Sequence, residues 1–524
     1  MDHHAGAFLF VLLLSALLAA AVAWTVAALY RRRMLSLMRG GPPPDQNSPA
    51  QSSSLTLQAR HAAPNLGLAN NKRAFVRLLL VLSGLSLLVG LTQAGLALQF
   101  VYETDRDFSA RQWLVVGLVY AWPMVLAWGL LMRWPWSRLP LALTGYFAVL
   151  TPVVMLASNQ AQSLPDLLRL YAISAAIPLL IVLGIGASGR IRAIAPYLLP
   201  LFLALLLASY IGLETLSGQI DKAEPEWSHW LRALAQAIGP YATLGLFAIG
   251  PWLLAAWPVY ALGRGLATAY RRKRHSDLLY LFGVYWLLVL AINALTGLVA
   301  VGPQALLQLL GWFWLPVGFR LLRKWLTTTG PVPTLLVLRV FQRDAEVEAL
   351  FDRVVERWRL TGNTLLIAGS DLVSRTLDPD DLFAFLNGQL RSRFIASAAE
   401  IPRRVAELDL IPDPDGRYRI NEVYCYDTTW QPALRALVES SDVVLMDLRG
   451  FGPENLGSRF ELGVLAGASH LRRVVLLYDG ATARDVAASE FSGASPERFV
   501  WLEAGRLDRA KAREVLVTLF GAPA

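Results

Sequence analysis

Apolar residues are distributed along this chain in two different ways. Up to about residue 325 they come in long unbroken runs, at residues 7–30, 74–100, 113–132, 139–157, 170–188, 195–213, 238–262 and 278–300, with a shorter run at 303–319. A helix that crosses a bilayer needs about 20 mostly apolar residues, so this pattern predicts about nine spans, the last short enough to be re-entrant. The first run is followed, not preceded, by Arg31, Arg32 and Arg33. That order fits an uncleaved anchor helix over residues 1–30 better than a signal peptide. Residues 31–73, rich through their middle in Pro, Ser, Gln and Asn, read as a disordered cytoplasmic linker. Residues 74–325 then form an α-helical polytopic bundle.

Beyond residue 333 the runs shorten and the period changes. Apolar stretches at 335–341, 364–368, 443–446, 473–478 and 499–503 read as strands, and so does the more polar segment at 417–425. Helical stripes separate them, at 344–359, from 378 to about 395, at 402–410, 431–439 and 483–489, from Ser458 onward, and at 507–520. Strands alternating with helices predict a mostly parallel sheet covered on both faces. The expectation is a flavodoxin-like cytoplasmic α/β domain over residues 333–524.

The charges orient the first half. The formal net charge is +9, from 48 Lys and Arg against 39 Asp and Glu. Basic residues fall in alternate loops: Arg31–Arg33 with Lys72 and Arg73, Arg133 and Arg138, Arg190 and Arg192, Arg271–Arg274, and Arg320, Arg323 and Lys324. The intervening loops hold Glu103, Asp105, Asp107, Asp166, Glu214, Asp221, Glu224 and Glu226. By the positive-inside rule this places the N-terminus outside and the C-terminal domain in the cytoplasm of a cell's plasma (inner) membrane. The basic excess therefore needs no nucleic-acid partner. Ionisable residues are almost absent from the middle of the runs, which favours an anchoring or oligomerising bundle over an ion-coupled transporter. A single cysteine, Cys425, excludes an intrachain disulfide, and no histidine or cysteine spacing suggests a structural metal.

Candidate chemistry gathers around the run at 443–446. It ends in Asp447 and Arg449, passes through a Gly/Pro/Asn loop with Asn455, and enters a helix with Ser458 as a plausible N-cap and Glu461 in its first turn. In open α/β sheets ligands sit beyond the carboxyl ends of the strands, so Asp447, Arg449 and Glu461 are expected to share one pocket. Ser370 and Asp371 end the second strand in the same way. Phe341, Trp430 and Phe451 are candidates to stack on a base, and Arg449 to bind a phosphate. Each has a plainer reading as a loop cap, a helix-end charge or a core aromatic. Asp413-Pro414-Asp415-Gly416 reads as a turn, since no calcium-ligand run follows it. There is no G-x-G-x-x-G after the first strand, no G-x-x-x-x-G-K-[ST] and no G-x-S-x-G. Dinucleotide dehydrogenases, P-loop proteins and α/β-hydrolases are thereby set aside.

Residues 333–520 resemble the nucleoside deoxyribosyltransferase superfamily and its relatives, the Toll/interleukin-receptor (TIR) domains that cleave NAD. The resemblance rests on Leu336-Val337-Leu338-Arg339-Val340-Phe341, on Ser441-Asp442 with the strand to Asp447, on Ser458-Arg459-Phe460-Glu461-Leu462-Gly463, and on Tyr478-Asp479. It implies a TIR-like fold with Glu461 as catalytic carboxylate; the residues expected around the substrate, read from their own chemistry and place, are Phe341, Ser370, Asp371, Trp430, Asp447, Arg449 and Asn455. It implies a nucleotide such as NAD as substrate or ligand, no required cofactor, and a possible homo-oligomer. Three readings stay open: a nucleotide N-glycosidase, a nucleotide sensor, and a membrane scaffold. The segment from about 395 to 424 is longer than a TIR domain needs, and Arg449-Gly450-Phe451 matches neither family.

Overall fold

The computed structural model describes residues 2–40, 67–100, 109–135, 137–157, 163–186, 189–221, 225–340, 344–368, 379–493 and 495–521. They divide into two compact units: Met1–Ala27, Leu82–Gly318 and Asp378–Phe383 in one, Ala28–Val81, Phe319–Leu377 and Ala384–Ala524 in the other.

The first unit is helical. Among the described residues eight helices are long and apolar enough to cross a membrane: Gly6–Gly40, Leu68–Gln99, Arg138–Ala157, Leu164–Gly186, Ile191–Gln219, Pro240–Arg271, Asp277–Leu295 and Gly302–Leu326. A ninth is obtained if Ala110–Tyr120 and Met124–Leu131, bent by 47°, count together. The break falls at Pro123, which lacks the N–H that would continue the ladder. The short last run is a 3-10 segment, Gly302–Phe313, leading into the Trp314–Leu326 helix. Glycine permits one close crossing here. A Cβ on Gly90 would lie 2.4 Å from the Gly117 carbonyl oxygen, so only a bare Cα fits. The bundle's buried Gln93 donates from Nε2 to the Gln308 carbonyl at 2.8 Å.

The first two helices are longer than their apolar runs. The first continues through Arg31–Arg33 to Gly40, and the second begins at Leu68. Residues 31–40 and 68–73, expected in a disordered linker, are helical; residues 41–66 lie outside the described residues. The reason is packing. Tyr30, buried, meets Tyr424 hydroxyl to hydroxyl at 3.2 Å. Asn71 donates to the Arg357 carbonyl at 2.6 Å and to Thr361 Oγ1 at 3.1 Å. The Arg357 guanidinium lies over the Phe75 ring at 3.8 Å.

Seven parallel strands form the core of the second unit: β1 Thr334–Arg339, β2 Asn363–Ile367, β3 Phe394–Ile395, β4 Ile420–Cys425, β5 Val443–Asp447, β6 Arg473–Tyr478 and β7 Phe499–Glu503. Their order is β3-β4-β2-β1-β5-β6-β7, paired in parallel throughout. Such a sheet is buried on both faces, so its strands read as continuous apolar runs. Leu336, Leu338, Val444 and Met446 pack under the Trp430–Glu439 and Leu456–Gly467 helices. Leu335, Val337, Val443 and Leu445 pack on the other face against Trp358, Val515 and Phe520.

Two expectations are corrected. The helix expected from 378 to about 395 ends at Leu386, where Gly388 at φ +72° turns the chain, and β3 follows at the sheet edge. The strand expected from Arg417 begins only at Ile420. Arg417 and Arg419 are held instead in a buried charge network, Arg417 on Asp415 at 2.9 Å and Glu356 at 3.2 Å, and Arg419 on Asp413 at 2.8 Å.

Candidate functional site

The connections fix where a ligand would enter. The chain leaves β1 in one direction, to β2, and returns to β1's other side at β5, so the strand order reverses between β1 and β5. In open α/β sheets the crevice at that reversal, beyond the carboxyl ends, is the ligand position. Arg339 and Asp447, the last residues of β1 and β5, are register partners there.

Asp447 and Arg449 do not open onto the pocket expected of them. Asp447 continues the alternation of Val443 and Leu445 onto their face, away from the Leu456–Gly467 helix, and Arg449, in the turn after the strand, folds back onto it. The Arg449 guanidinium is bidentate on Asp447, Nε to Oδ1 at 2.8 Å and Nη2 to Oδ2 at 2.5 Å. It also donates to the carbonyls of Glu346 at 3.2 Å and Ala504 at 3.5 Å. Burial works against the charged guanidinium. Its bond to Asp447 and the charges of Asp447, Glu346 and Asp479 outweigh burial and raise it above its ordinary range. With 1% exposure it ties three segments of the fold together and has no surface to offer a phosphate.

The loop after it is closed in the same way. Gly450 takes φ +68° and donates to Asp479 Oδ1 at 2.9 Å. Phe451, fully buried, belongs to the core and cannot stack on a ligand. Asn455 accepts from the Gly452 N–H at 2.7 Å and so braces the turn into the helix.

That helix begins at Leu456, two residues before Ser458, with Asn455 at its N-cap position. Glu461 is therefore in the second turn and not the first, beyond the reach of the helix dipole's main effect. Glu461 is 7% exposed, and its Oε2 atom is buried without a hydrogen-bond partner among the described residues. Burial pushes its carboxyl up to about 8, with the nearby Arg339 charge pulling the other way. Trp430 stays on the same side, edge-on to Phe460 with ring centroids 5.4 Å apart. Phe341, Ser370 and Asp371 lie outside the described residues.

The structure thus separates the expected trio. Asp447 and Arg449 form a brace on one face, while Glu461 sits on the helix that covers the other and feels the Arg339 charge from the end of β1. Arg339 was missed in the sequence although the signal was present: a lone arginine closing an otherwise apolar strand, 4% exposed here. Among the described residues no group of three or more His, Cys, Asp or Glu is placed to hold a metal ion. No family model matches the chain, and neither the curated proteins nor the solved structures yield a match.

Proposed function

We propose that this is a multi-pass membrane protein, N-terminus outside, whose cytoplasmic α/β domain binds a nucleotide such as NAD at the β1/β5 crevice and acts on its N-glycosidic bond through Glu461. The observation that carries this reading is a buried carboxyl with an unpartnered oxygen at the reversal point of a parallel sheet. An uncompensated buried polar group is expensive, and sites that tolerate one commonly use it. Breaking the bond leaves its electron pair on the departing base and positive charge on the ribose carbon. A carboxylate beneath that carbon stabilises the charge or bonds to it, and water then supplies the hydroxyl of the free sugar. The eight to nine long apolar helices and the alternation of basic loops support the membrane part.

A nucleotide sensor without turnover is the second reading. Its support is that Glu461 is neutral below about pH 8, a state that donates a hydrogen bond more readily than it attacks carbon. The ends of the first two apolar helices belong to the same compact unit as the sheet, which gives such a sensor an output.

The test incubates the full chain in micelles with NAD and a panel of nucleosides and nucleotides. Free base is followed by chromatography and ligand-dependent thermal stabilisation in parallel, with Glu461→Gln as control. Base release lost in the variant supports the glycosidase. Stabilisation of both proteins without release supports the sensor. Neither effect with any ligand of the panel removes both readings.

A further inference from the structure

We propose that the helical unit carries a phosphate-binding site at its basic end, formed by the Tyr285 hydroxyl with Arg133 and Arg192. The ligand is a phosphate group, borne by a lipid headgroup or free in solution. All three residues belong to one compact unit, and the site is independent of the nucleotide reading of Glu461.

Tyr285 lies in the Asp277–Leu295 helix and is 2% exposed. Its hydroxyl is buried with no hydrogen-bond partner among the described residues. Phenylalanine would fill the same space without burying a polar group, so the hydroxyl is unfavourable there unless something accepts from it. The guanidinium charges of Arg192 and Arg133 both act on it.

Different elements deliver the two cations. The Tyr197 ring stacks on Tyr280, with centroids 4.3 Å apart and an interplanar angle of 5°. The Tyr280 hydroxyl donates to the Pro196 carbonyl at 2.9 Å. That carbonyl is open to it because Pro200, four residues on, has no N–H to give. The first turns of the Ile191–Gln219 helix, Arg192 included, are thereby fixed along the start of the Tyr285 helix. Arg133 follows the Met124–Leu131 helix. It takes φ +49° while the Trp134 N–H reaches back to the Gly129 carbonyl at 2.9 Å. Glycine is the usual residue at such a helix end, so an arginine there keeps its guanidinium in spite of the backbone. Its separation from the Asp277 carboxylate is 4.0 Å, the far limit of an ion pair.

The donors decide the ligand. Two cations drawn toward one buried hydroxyl repel each other in surroundings of low dielectric, and an anion among them removes that repulsion. Guanidinium groups match the oxygens of a phosphate in pairs, and a hydroxyl can donate to a further one. Basic pockets between membrane helices recognise lipid headgroups in this way. Basic loops need only the positive-inside rule, but a buried hydroxyl under the charge of two arginines does not follow from it.

The experiment uses the full chain in micelles of a phosphate-free detergent. Its melting midpoint is titrated with phosphatidic acid, with diacylglycerol of the same acyl chains, and with inorganic phosphate. A shift with phosphatidic acid alone assigns the site to a lipid headgroup, and a shift that inorganic phosphate also gives assigns it to the free ion. In either case Tyr285→Phe, which changes no charge, should weaken apparent binding about tenfold. Arg192→Gln, on another helix, should do the same, whereas Arg272→Gln, at an exposed position of the basic loop, should leave binding as it is. No shift with either phosphate probe overturns the proposal. So does binding that Tyr285→Phe and Arg192→Gln leave intact, or that Arg272→Gln weakens as much as they do.

Discussion

Arg339 and Asp447 stand side by side at the ends of β1 and β5, yet their side chains serve different purposes. Asp447 is occupied by Arg449, while the Arg339 charge acts on Glu461.

The brace predicts a stability effect. Removing one member of a buried pair leaves an uncompensated charge, typically at a cost of about 3–5 kcal/mol. Arg449→Ala and Asp447→Ala should each lower the unfolding midpoint of the α/β transition, and the double variant should lose much less than the sum. Thermal unfolding of the four proteins gives the coupling. Additive losses would show that the two side chains do not depend on each other.

Glu461 predicts a pH dependence. Its folded-state value of about 8 lies above the ordinary carboxyl range, so the folded protein holds a proton that the unfolded chain releases. Stability from this group is complete below about pH 4.5, falls as pH rises through the window up to about 8, and levels off beyond it. The size is on the order of a few kcal/mol. Glu461→Gln keeps the shape without the ionisation. It should flatten that slope and leave the variant more stable than the parent at pH 9. Parallel melting profiles from pH 5 to 9 would contradict it.

Arg339 favours the ionised form of Glu461, so Arg339→Met should move the midpoint of that same stability profile upward. An unmoved midpoint would mean that the guanidinium does not act on the carboxyl.

Gly416 has φ +80°, and a Cβ there would lie 2.5 Å from the Leu326 carbonyl oxygen. Gly416→Ala therefore pays both backbone strain and a clash with the end of the last apolar helix, on the order of 1–3 kcal/mol together. A melting point within a degree of the parent would show that the turn relaxes freely.

The parallel sheet was legible because its strands, buried on both faces, are plain apolar runs such as Val443 to Met446. β3 was not, since two residues between Arg393 and Ala396 carry no period. The apolar lengths revealed the long helices but not their ends, because Tyr30 and Asn71 are kept helical by contacts far away in sequence. Glu461 was legible as a candidate from its place after the central strand. Its separation from Asp447 was hidden in strand alternation: Asp447 follows Val443 and Leu445 onto one face, while the helix that follows covers the other. Nothing local in Asp447-Leu448-Arg449 shows that the arginine turns back onto its own strand.

The most direct test of the Glu461 reading is the pH profile of base release from NAD by the full chain. On the proposed reading the ionised carboxyl is the active form, so the rate should climb with pH to a midpoint near 8 and then level off, and Glu461→Gln should abolish release at every pH. Release that survives in the variant, or a rate flat from pH 6 to 9, would contradict the assignment of Glu461 as the reactive group.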